Sequence, residues 1–547
     1  MQTDNLLFYG DNLDVLRRHI KDETVDLIYL DPPFNSHANY NVLFKEHDGA
    51  GSAAQIQAFG DSWHWDQSAA SAYQEIVETG GKVSEALQAF RMLVGQSDML
   101  AYLTMMTIRL VELHRVLKPT GSLYLHCDPT ASHYLKVVMD AIFGATSFRN
   151  EISWRRSGRR SSIYKIFRRA HDVIFFYSKS ETYTFNLDYE EKDETLFKKY
   201  SLKDEKGKYQ LVPLMGSGKV ANGVTGKPWH GYDPNTRGKA GMHWLTTHDK
   251  LEVYVKNGLV VFPTKTNGVP RLKYYLDQNK GIPLSDFWDD IDIINSMGDE
   301  AQGYQTQKPL ALLDRIIQIS SNPNDVVLDP FCGCGTAVIA AQKLDRRWIG
   351  IDITHLAINL IKHRLWDSFG DLAKYKTIGE PTSLPDAKDL AKNDSYQFQW
   401  WALGLVGARP AEGKKGADAG IDGKLFFHDD AGGETKQVIF SVKAGGVQVS
   451  YIRDLCHVVE REKAAIGVMI CLEEPTKPMR SEAAGDGFYK SPWGSHPKIQ
   501  ILTITELLGG KKVDMPPLHE VNVTFKQAPK VKVKKGHQPG LLNEIKE

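Results

Sequence analysis

Apolar residues near the start of the chain fall in short blocks separated by stretches of helical spacing, the rhythm of alternating strands and helices. Leu6-Leu7-Phe8-Tyr9 reads as a strand closed by Gly10-Asp11. A helix follows through Leu16 and His19, and residues 25–30 read as a second strand. Residues 36–95 contain Gly and Ser and are weakly periodic, which predicts a long lid or binding loop. Helical spacing returns over 99–117 and stops at Lys118-Pro119-Thr120-Gly121. Residues 122–126 and 173–177 then predict buried strands. Between about 180 and 303 the periodicity breaks up, as an inserted domain would. From residue 306 the rhythm resumes with a helix over 310–320, a strand over 326–328, a glycine turn, a helix over 337–344 and a strand ending at Asp352. A connection over 379–394 bearing Pro, Asp and Lys leads to a third unit with strands at 438–442 and 466–471. The tail after Phe525 is lysine-rich, and no internal repeat is present.

At 547 residues the chain exceeds what one core can organise. The expected division is 1–180, 181–303, 304–378, a linker at 379–395, 396–517, and a tail at 518–547. Lys plus Arg and Asp plus Glu both number 67, so the net charge excludes a uniformly basic coat but leaves room for a local basic surface. No apolar run is long enough to span a membrane and no signal-peptide core stands at the start, so no membrane partner is expected. Five scattered cysteines fit a reducing cytoplasm better than a disulfide framework. Cys332 and Cys334 are too close together for a zinc knuckle and read as small loop fillers, with no metal expected there.

Two stretches carry candidate chemistry: Asp31-Pro32-Pro33-Phe34, and Asp329-Pro330-Phe331-Cys332-Gly333-Cys334-Gly335. Each follows a strand-like run, so each puts an acid and a tight turn at the carboxyl end of a strand, where open α/β sheets build their sites. Gly333 and Gly335 remove the Cβ atoms that would block a ligand, and the next helix aims free N–H groups at it. Asp352, ending the following strand, is suited to accept hydrogen bonds from ribose hydroxyls. Val338 stands where a third glycine would complete a pyrophosphate-binding G-x-G-x-x-G.

The string Asp-Pro-Phe-x-Gly-x-Gly-Thr, with Thr306-Gln307-Lys308-Pro309 upstream, resembles the cofactor motif of DNA amino-methyltransferases, which more often carry serine where Cys334 stands. Asp31-Pro-Pro-Phe34 resembles the same family's catalytic motif. The aspartate version is commoner among adenine-N6 enzymes and a serine version among cytosine-N4 enzymes; adenine is favoured and cytosine-N4 stays open. The resemblance covers about residues 4–370. Its order of base-binding half, insert, cofactor half resembles the β permutation class, whose insert is the target-recognition domain. It implies an α/β fold: a Rossmann-like S-adenosylmethionine-dependent methyltransferase sheet, circularly permuted. It also implies that Asp329, Phe331, Gly333 and Gly335 line the methionine end of the cofactor, Asp352 its ribose, Lys308 its carboxylate and Asp11 its adenine. An exocyclic amine is a poor nucleophile, and acceptors aimed at both N–H bonds favour the geometry that frees its lone pair. Asp31 offers a carboxylate, Pro32 a carbonyl on a turn stiffened with Pro33, and Phe34 a stacking face. The target base must leave the duplex first.

Double-stranded DNA is the expected partner. Residues 154–169 hold seven basic residues and no acid, interleaved with aromatics, which suits phosphate clamping; Arg155, Arg156, Arg159 and Arg160 lead. Trp63-His64-Trp65 either wedges beside an extruded base or is a buried lid cluster. In the third unit, Asp422 and then Ser441-Val442-Lys443 have the spacing of a two-strand metal nuclease core. They resemble the Mrr-like branch of the PD-(D/E)xK restriction-endonuclease fold over roughly 396–515. Ser441 replaces the family's Glu or Gln, so Mg²⁺ would need Asp418 or Glu412, or the unit only grips DNA. The setting implied is restriction–modification or phage defence, with a homodimer or a restriction subunit as further partners.

Overall fold

The computed structural model describes residues 4–33, 65–127, 129–156, 167, 170–190, 194–220, 223–236, 241–264, 268–294, 300, 307–411, 420–428 and 435–516. They form two compact units, residues 1–186 with 286–547, and residues 187–285. The first begins with β1 (Asn5–Tyr9), the helix Asn12–His19 and β2 (Val25–Leu30), followed after helical segments by β3 (Leu117–Cys127), β4 (Phe148–Arg155) and β5 (His171–Ser178).

The stretch expected as one long loop is in part helical. Gln67–Thr79 and Gly81–Val94 are helices, the first capped by Asp66 and both meeting at Gly80 and Gly81, which share φ +72°. Each buries a narrow stripe, Tyr73 with Ile76 and Leu87 with Phe90. So few apolar positions make a weak periodic signal.

The smaller unit contains β6 (Leu202–Asp204), β7 (Gly207–Pro213), β8 (Met215–Ser217), β9 (Met242–Trp244), β10 (Val260–Val261) and β11 (Arg271–Tyr275). Strands order as β10-β11-β7-β6 in one antiparallel sheet, with β8 and β9 paired separately. Leu214, Met215, Trp229, Trp244 and Leu251 fill its core.

The larger unit resumes with β12 (Phe287–Trp288), the helix Leu310–Ser320, β13 (Val326–Asp329), the helix Thr336–Lys343, β14 (Arg347–Asp352), the helix His355–Phe369 and β15 (Tyr375–Ile378). Among the described residues nine strands form one sheet in the order β12-β4-β5-β3-β2-β13-β14-β1-β15. The run from β3 to β15 is parallel, and β5 is antiparallel to its neighbours. Alternation sends Leu6, Phe8, Ile28 and Leu30 to one face and Leu7, Leu27 and Tyr29 to the other, and helices cover both. The chain leaves β2 toward β3 on one side and leaves β13 toward β14 on the other. The strand order therefore reverses between β2 and β13, which is where such sheets leave a crevice.

The connection at 379–394 contains the helix Leu384–Asn393, opened by a capping box of Ser383 and Asp386. Beyond it lie the helix Ser395–Leu405, β16 (Arg409–Pro410), β17 (Gly423–Phe427), β18 (Lys436–Lys443), β19 (Ile466–Cys471), a hairpin of β20 (Phe488–Ser491) and β21 (Gly494–Pro497), and β22 (Ile499–Thr503). The sheet runs β16-β17-β18-β19-β22. Helix Ser395–Leu405 joins this sheet to the nine-stranded one. His355 N–H donates to Gln397 Oε1 (3.1 Å), and Asn359 Nδ2 donates to the Trp400 carbonyl (3.1 Å). Among the described residues no helix is long and apolar enough to cross a membrane.

Candidate active site

The two turns singled out in the sequence lie side by side. β2 and β13 pair in parallel with Leu27 opposite Val327 and Ile28 opposite Leu328. Asp31 and Asp329 therefore emerge at the same edge of the sheet, on either side of the reversal. Lys308, in the segment before the helix Leu310–Ser320, donates to Asp31 Oδ2 and bridges the two halves of the sequence. Asp352 ends β14 at the same edge. Its Oδ2 accepts from Gly333 N–H (2.9 Å), and its Oδ1 accepts from the Thr354 amide (2.9 Å) and hydroxyl (2.8 Å). The glycine turn is thus pinned to the next strand. Phe331 N–H donates to Asp329 Oδ1 (3.0 Å), and Gly335 takes φ +78°, where only glycine sits without strain.

Burial dominates the electrostatics. It pushes the Asp329 carboxyl up to about 8, with the charges of Asp31 and Asp352 adding to the effect. It pushes Asp352 up to about 6 against the hydrogen bonds from Thr354 and Gly333. A buried acid held so far above its ordinary range calls for positive charge. The residues therefore fit the S-adenosylmethionine that the resemblance implies, since that donor carries a sulfonium. The glycine turn leads directly into the N-terminus of the helix Thr336–Lys343 at the same edge.

Two further groups organise this edge and were not visible as motifs. Arg109, in the helix Asp98–Val116, donates to Asp11 Oδ2 (2.7 Å) and to Asn12 Oδ1 (2.5 Å). Asn12 in turn donates to the Pro330 carbonyl (2.8 Å), so Arg109 reaches the cofactor turn through it. Asp11 also caps the helix Asn12–His19 through Leu13 N–H (2.8 Å), which engages both of its oxygens within the protein. Arg364, nearly fully buried, donates to the Cys334 carbonyl from beneath the turn. Glycine spacing signals a turn but not the distant side chains that hold it.

Of the remaining sequence candidates, Phe34, Trp63, His64, Arg159, Arg160, Thr306, Glu412 and Asp418 lie outside the described residues. Trp65 packs edge-on against Tyr73 at a ring separation of 5.7 Å, beside the core on the Leu6 and Ile28 face of the sheet. Arg155 and Arg156 stand at the end of β4 as half-exposed ion pairs. Arg155 is near Asp289 (3.8 Å) and Asp292 (3.7 Å), and Arg156 reaches Asp172 (3.1 Å). In the C-terminal sheet, Asp422 Oδ2 accepts from Val442 N–H (2.6 Å) and Oδ1 from Gln399 Nε2 (3.2 Å), so this acid fastens its own strand pair. Ser441 is buried, and the Lys443 ammonium lies over the Tyr451 ring at 5.2 Å. Among the described residues no group of three or more His, Cys, Asp or Glu side chains could hold a metal. The described residues Asp422, Ser441 and Lys443 do not by themselves make up a Mg²⁺ site.

Residues 25–363 match the family model described as DNA methylase, and residues 396–509 match one described as NACHT-associated inactive Restriction Endonuclease 1. The chain is 30% identical over 400 residues to the type II methyltransferase M.EcaI of Enterobacter cloacae, covering 72% of this chain and 76% of that protein. It is 29% identical over 368 residues to the StyLTI Mod subunit, of a type III restriction-modification enzyme from Salmonella typhimurium, covering 62% of this chain and 50% of that protein. Among solved structures it is similar to a DNA modification methylase from Thermus thermophilus, at 16% identity and a TM-score of 0.32, over 69% of this chain and 100% of that one. Where an Mrr-like nuclease was expected, the C-terminal unit is similar to a restriction-endonuclease-like family whose description is inactive.

Proposed function

The chain belongs to the DNA methylase family, and from that membership we propose a site-specific enzyme that methylates the exocyclic N6 of adenine in duplex DNA, using S-adenosylmethionine. The observation that carries the reading is the pairing of Asp31 with Lys308 beside Asp329, at the reversal of strand order between β2 and β13. When bound, the cofactor supplies an electrophilic methyl on sulfur. Asp11, Lys308, Asp329, Phe331, Gly333, Gly335 and Asp352 would hold it. The Asp31 carboxylate and the Pro32 carbonyl would accept from the amine of an extruded base, and Phe34 would stack on it.

In the same reading the sheet is a circularly permuted methyltransferase core. Residues 187–285 are its target-recognition unit, and Arg155 and Arg156, with Arg159 and Arg160, meet the DNA backbone. The C-terminal unit is a non-cleaving module. Ser441 in place of Glu or Gln and the structural engagement of Asp422 support that, as does the word inactive in the description of the family it matches. A second reading, the modification subunit of a multi-subunit restriction system, is favoured by the similarity to a type III Mod subunit.

Incubation with tritiated S-adenosylmethionine and duplex DNA, followed by digestion to nucleosides, tests the proposal. Label in N6-methyl-2′-deoxyadenosine is expected. Label in N4-methyl-2′-deoxycytidine would move the target to cytosine while leaving the site assignment intact.

A further inference from the structure

Beneath the base-methylating turn lies a buried polar line that the chemistry above does not use. Tyr29 is two residues before Asp31 on β2, and its hydroxyl lies 3.2 Å from His126 Nδ1. His126, fully buried near the end of β3, sits with Nε2 3.1 Å from Asp172 Oδ2. Asp172, the second residue of β5, is also buried; its other oxygen accepts from Arg156 Nη1 at 3.1 Å. The Trp154 ring stands edge-on to the His126 imidazole at 5.8 Å and walls it in. All four polar residues sit at the edge of the sheet where Asp31 emerges.

The chemistry of the line is directional. The ionised Asp172 can only accept, so His126 Nε2 carries a hydrogen and the imidazole is locked in one orientation. Burial alone would raise the Asp172 carboxyl, but the hydrogen bond from His126 and the charges of Arg156 and Lys308 hold it below its ordinary range. Burying a histidine and an aspartate in a strand-rich core is costly unless both are satisfied. Apolar residues of similar size would pack there without that cost, so the arrangement calls for a role. Its ends suggest one. Tyr29 lies on the strand that delivers Asp31, and Arg156 is half-exposed where the basic stretch begins.

We propose that His126 and Asp172 are positioning residues for Asp31, tying the strand end that carries the acceptor turn to the half-exposed Arg156 guanidinium, which the proposed function assigns to the DNA backbone. The pair does not touch the target base. It sets where Asp31 stands when the base arrives, and a phosphate drawn to Arg156 pulls on the same line. This inference rests on the reading of Asp31 as the acceptor of the target amine.

The test uses the full chain with Asp172→Asn, Tyr29→Phe and Asp31→Ala, measuring kcat and KM for DNA, cofactor affinity by calorimetry, and base extrusion by 2-aminopurine fluorescence. Asp172→Asn and Tyr29→Phe should each lower kcat by about 10- to 100-fold, because small misplacements of a reacting group are that costly. Cofactor affinity and the fluorescence of the extruded base should stay near wild type. A purely structural role would instead lower melting temperature and cofactor affinity together, with little selective effect on kcat. If Asp172→Asn does not fold, Tyr29→Phe, which removes one hydroxyl, decides alone. Wild-type kcat in a folded Tyr29→Phe or Asp172→Asn protein, with Asp31→Ala inactive, overturns the inference and leaves the site assignment standing. An active Asp31→Ala protein overturns the assignment itself.

Discussion

The Lys308 ammonium donates to the Asp31 carboxylate although 277 positions separate them in the sequence. The pair is mostly shielded from solvent, with 13% and 16% side-chain exposure, so it is more than a screened surface contact. It links the turn after β2 to the segment that leads into β13.

Replacing Lys308 by methionine should therefore cost about 2 kcal/mol of stability, because a charge-assisted hydrogen bond is lost and Asp31 is left without that cation. Urea denaturation monitored by circular dichroism measures the change. Methyl transfer should fall with it. Unchanged stability and unchanged transfer would reduce the pair to an incidental contact.

Cofactor binding should release protons near neutral pH. Burial holds Asp329 up at about 8 and Asp352 at about 6. A cation favours the ionised acids, so affinity for S-adenosylmethionine should rise from pH 6 to pH 8.5. Calorimetry in buffers of different ionisation enthalpy counts the protons released. S-adenosylhomocysteine lacks the sulfonium charge and should show a flatter profile.

The same raised acids govern the stability of the ligand-free protein. Between the ordinary carboxylate range and pH 8 the folded chain binds more protons at Asp329 than the unfolded chain does. The linkage slope is therefore negative, and this contribution to stability declines as pH rises through 6 to 8. Asp329→Asn should flatten that decline and be the more stable protein at pH 9, while losing cofactor affinity. Melting curves of both proteins from pH 6 to pH 9 provide the check.

Gly335→Ala should be far more damaging than Gly95→Ala. Both glycines have positive φ, +78° and +63°. A Cβ at Gly335 would stand 2.7 Å from Ile361 Cγ1, whereas Gly95 faces open space. The Gly95 substitution carries only the backbone term of about 1 kcal/mol. The Gly335 substitution adds overpacking, for a total of about 2–4 kcal/mol, and distorts the cofactor turn. Thermal melts and calorimetric affinity should separate the two variants clearly.

Mg²⁺ should not elicit DNA cleavage from the C-terminal unit, with methylated or unmethylated substrate, since Asp422 is engaged by Val442 and Ser441 stands in place of Glu or Gln. Supercoiled plasmid incubated with the purified chain and Mg²⁺ should remain supercoiled. Linear product that disappears on Lys443→Ala would restore the nuclease reading.

Much of the active edge is legible from sequence because its markers are local. A short apolar run followed by Asp-Pro-Pro or Asp-Pro-Phe-Cys-Gly marks both a strand end and a turn, and β2, β13 and β14 lie where spacing predicts them. Their adjacency follows only from pairing across the sheet, which brings Ile28 opposite Leu328. Arg109, Asn12, His126 and Asp172 act through partners from 46 to 318 positions away, and isolated polar residues in apolar runs carry no signature. The helices at 67–94 escape the pattern because four buried apolar side chains are enough to seat them. In the C-terminal unit, spacing marks β18 and β19 but not the other strands. Whether Asp422 was available to a metal depended on the Val442 amide, which spacing does not show.

The most direct test of the central claim is single-turnover methyl transfer to duplex DNA by the wild-type chain and Asp31→Ala, each with cofactor affinity measured on the same preparation. The expected result is rapid transfer by the wild type, and a rate lower by about 100-fold or more in Asp31→Ala at near-normal cofactor affinity, as for removal of one transition-state hydrogen-bonding group. Equal transfer rates in the two proteins, or a wild-type chain that does not bind S-adenosylmethionine, would contradict it.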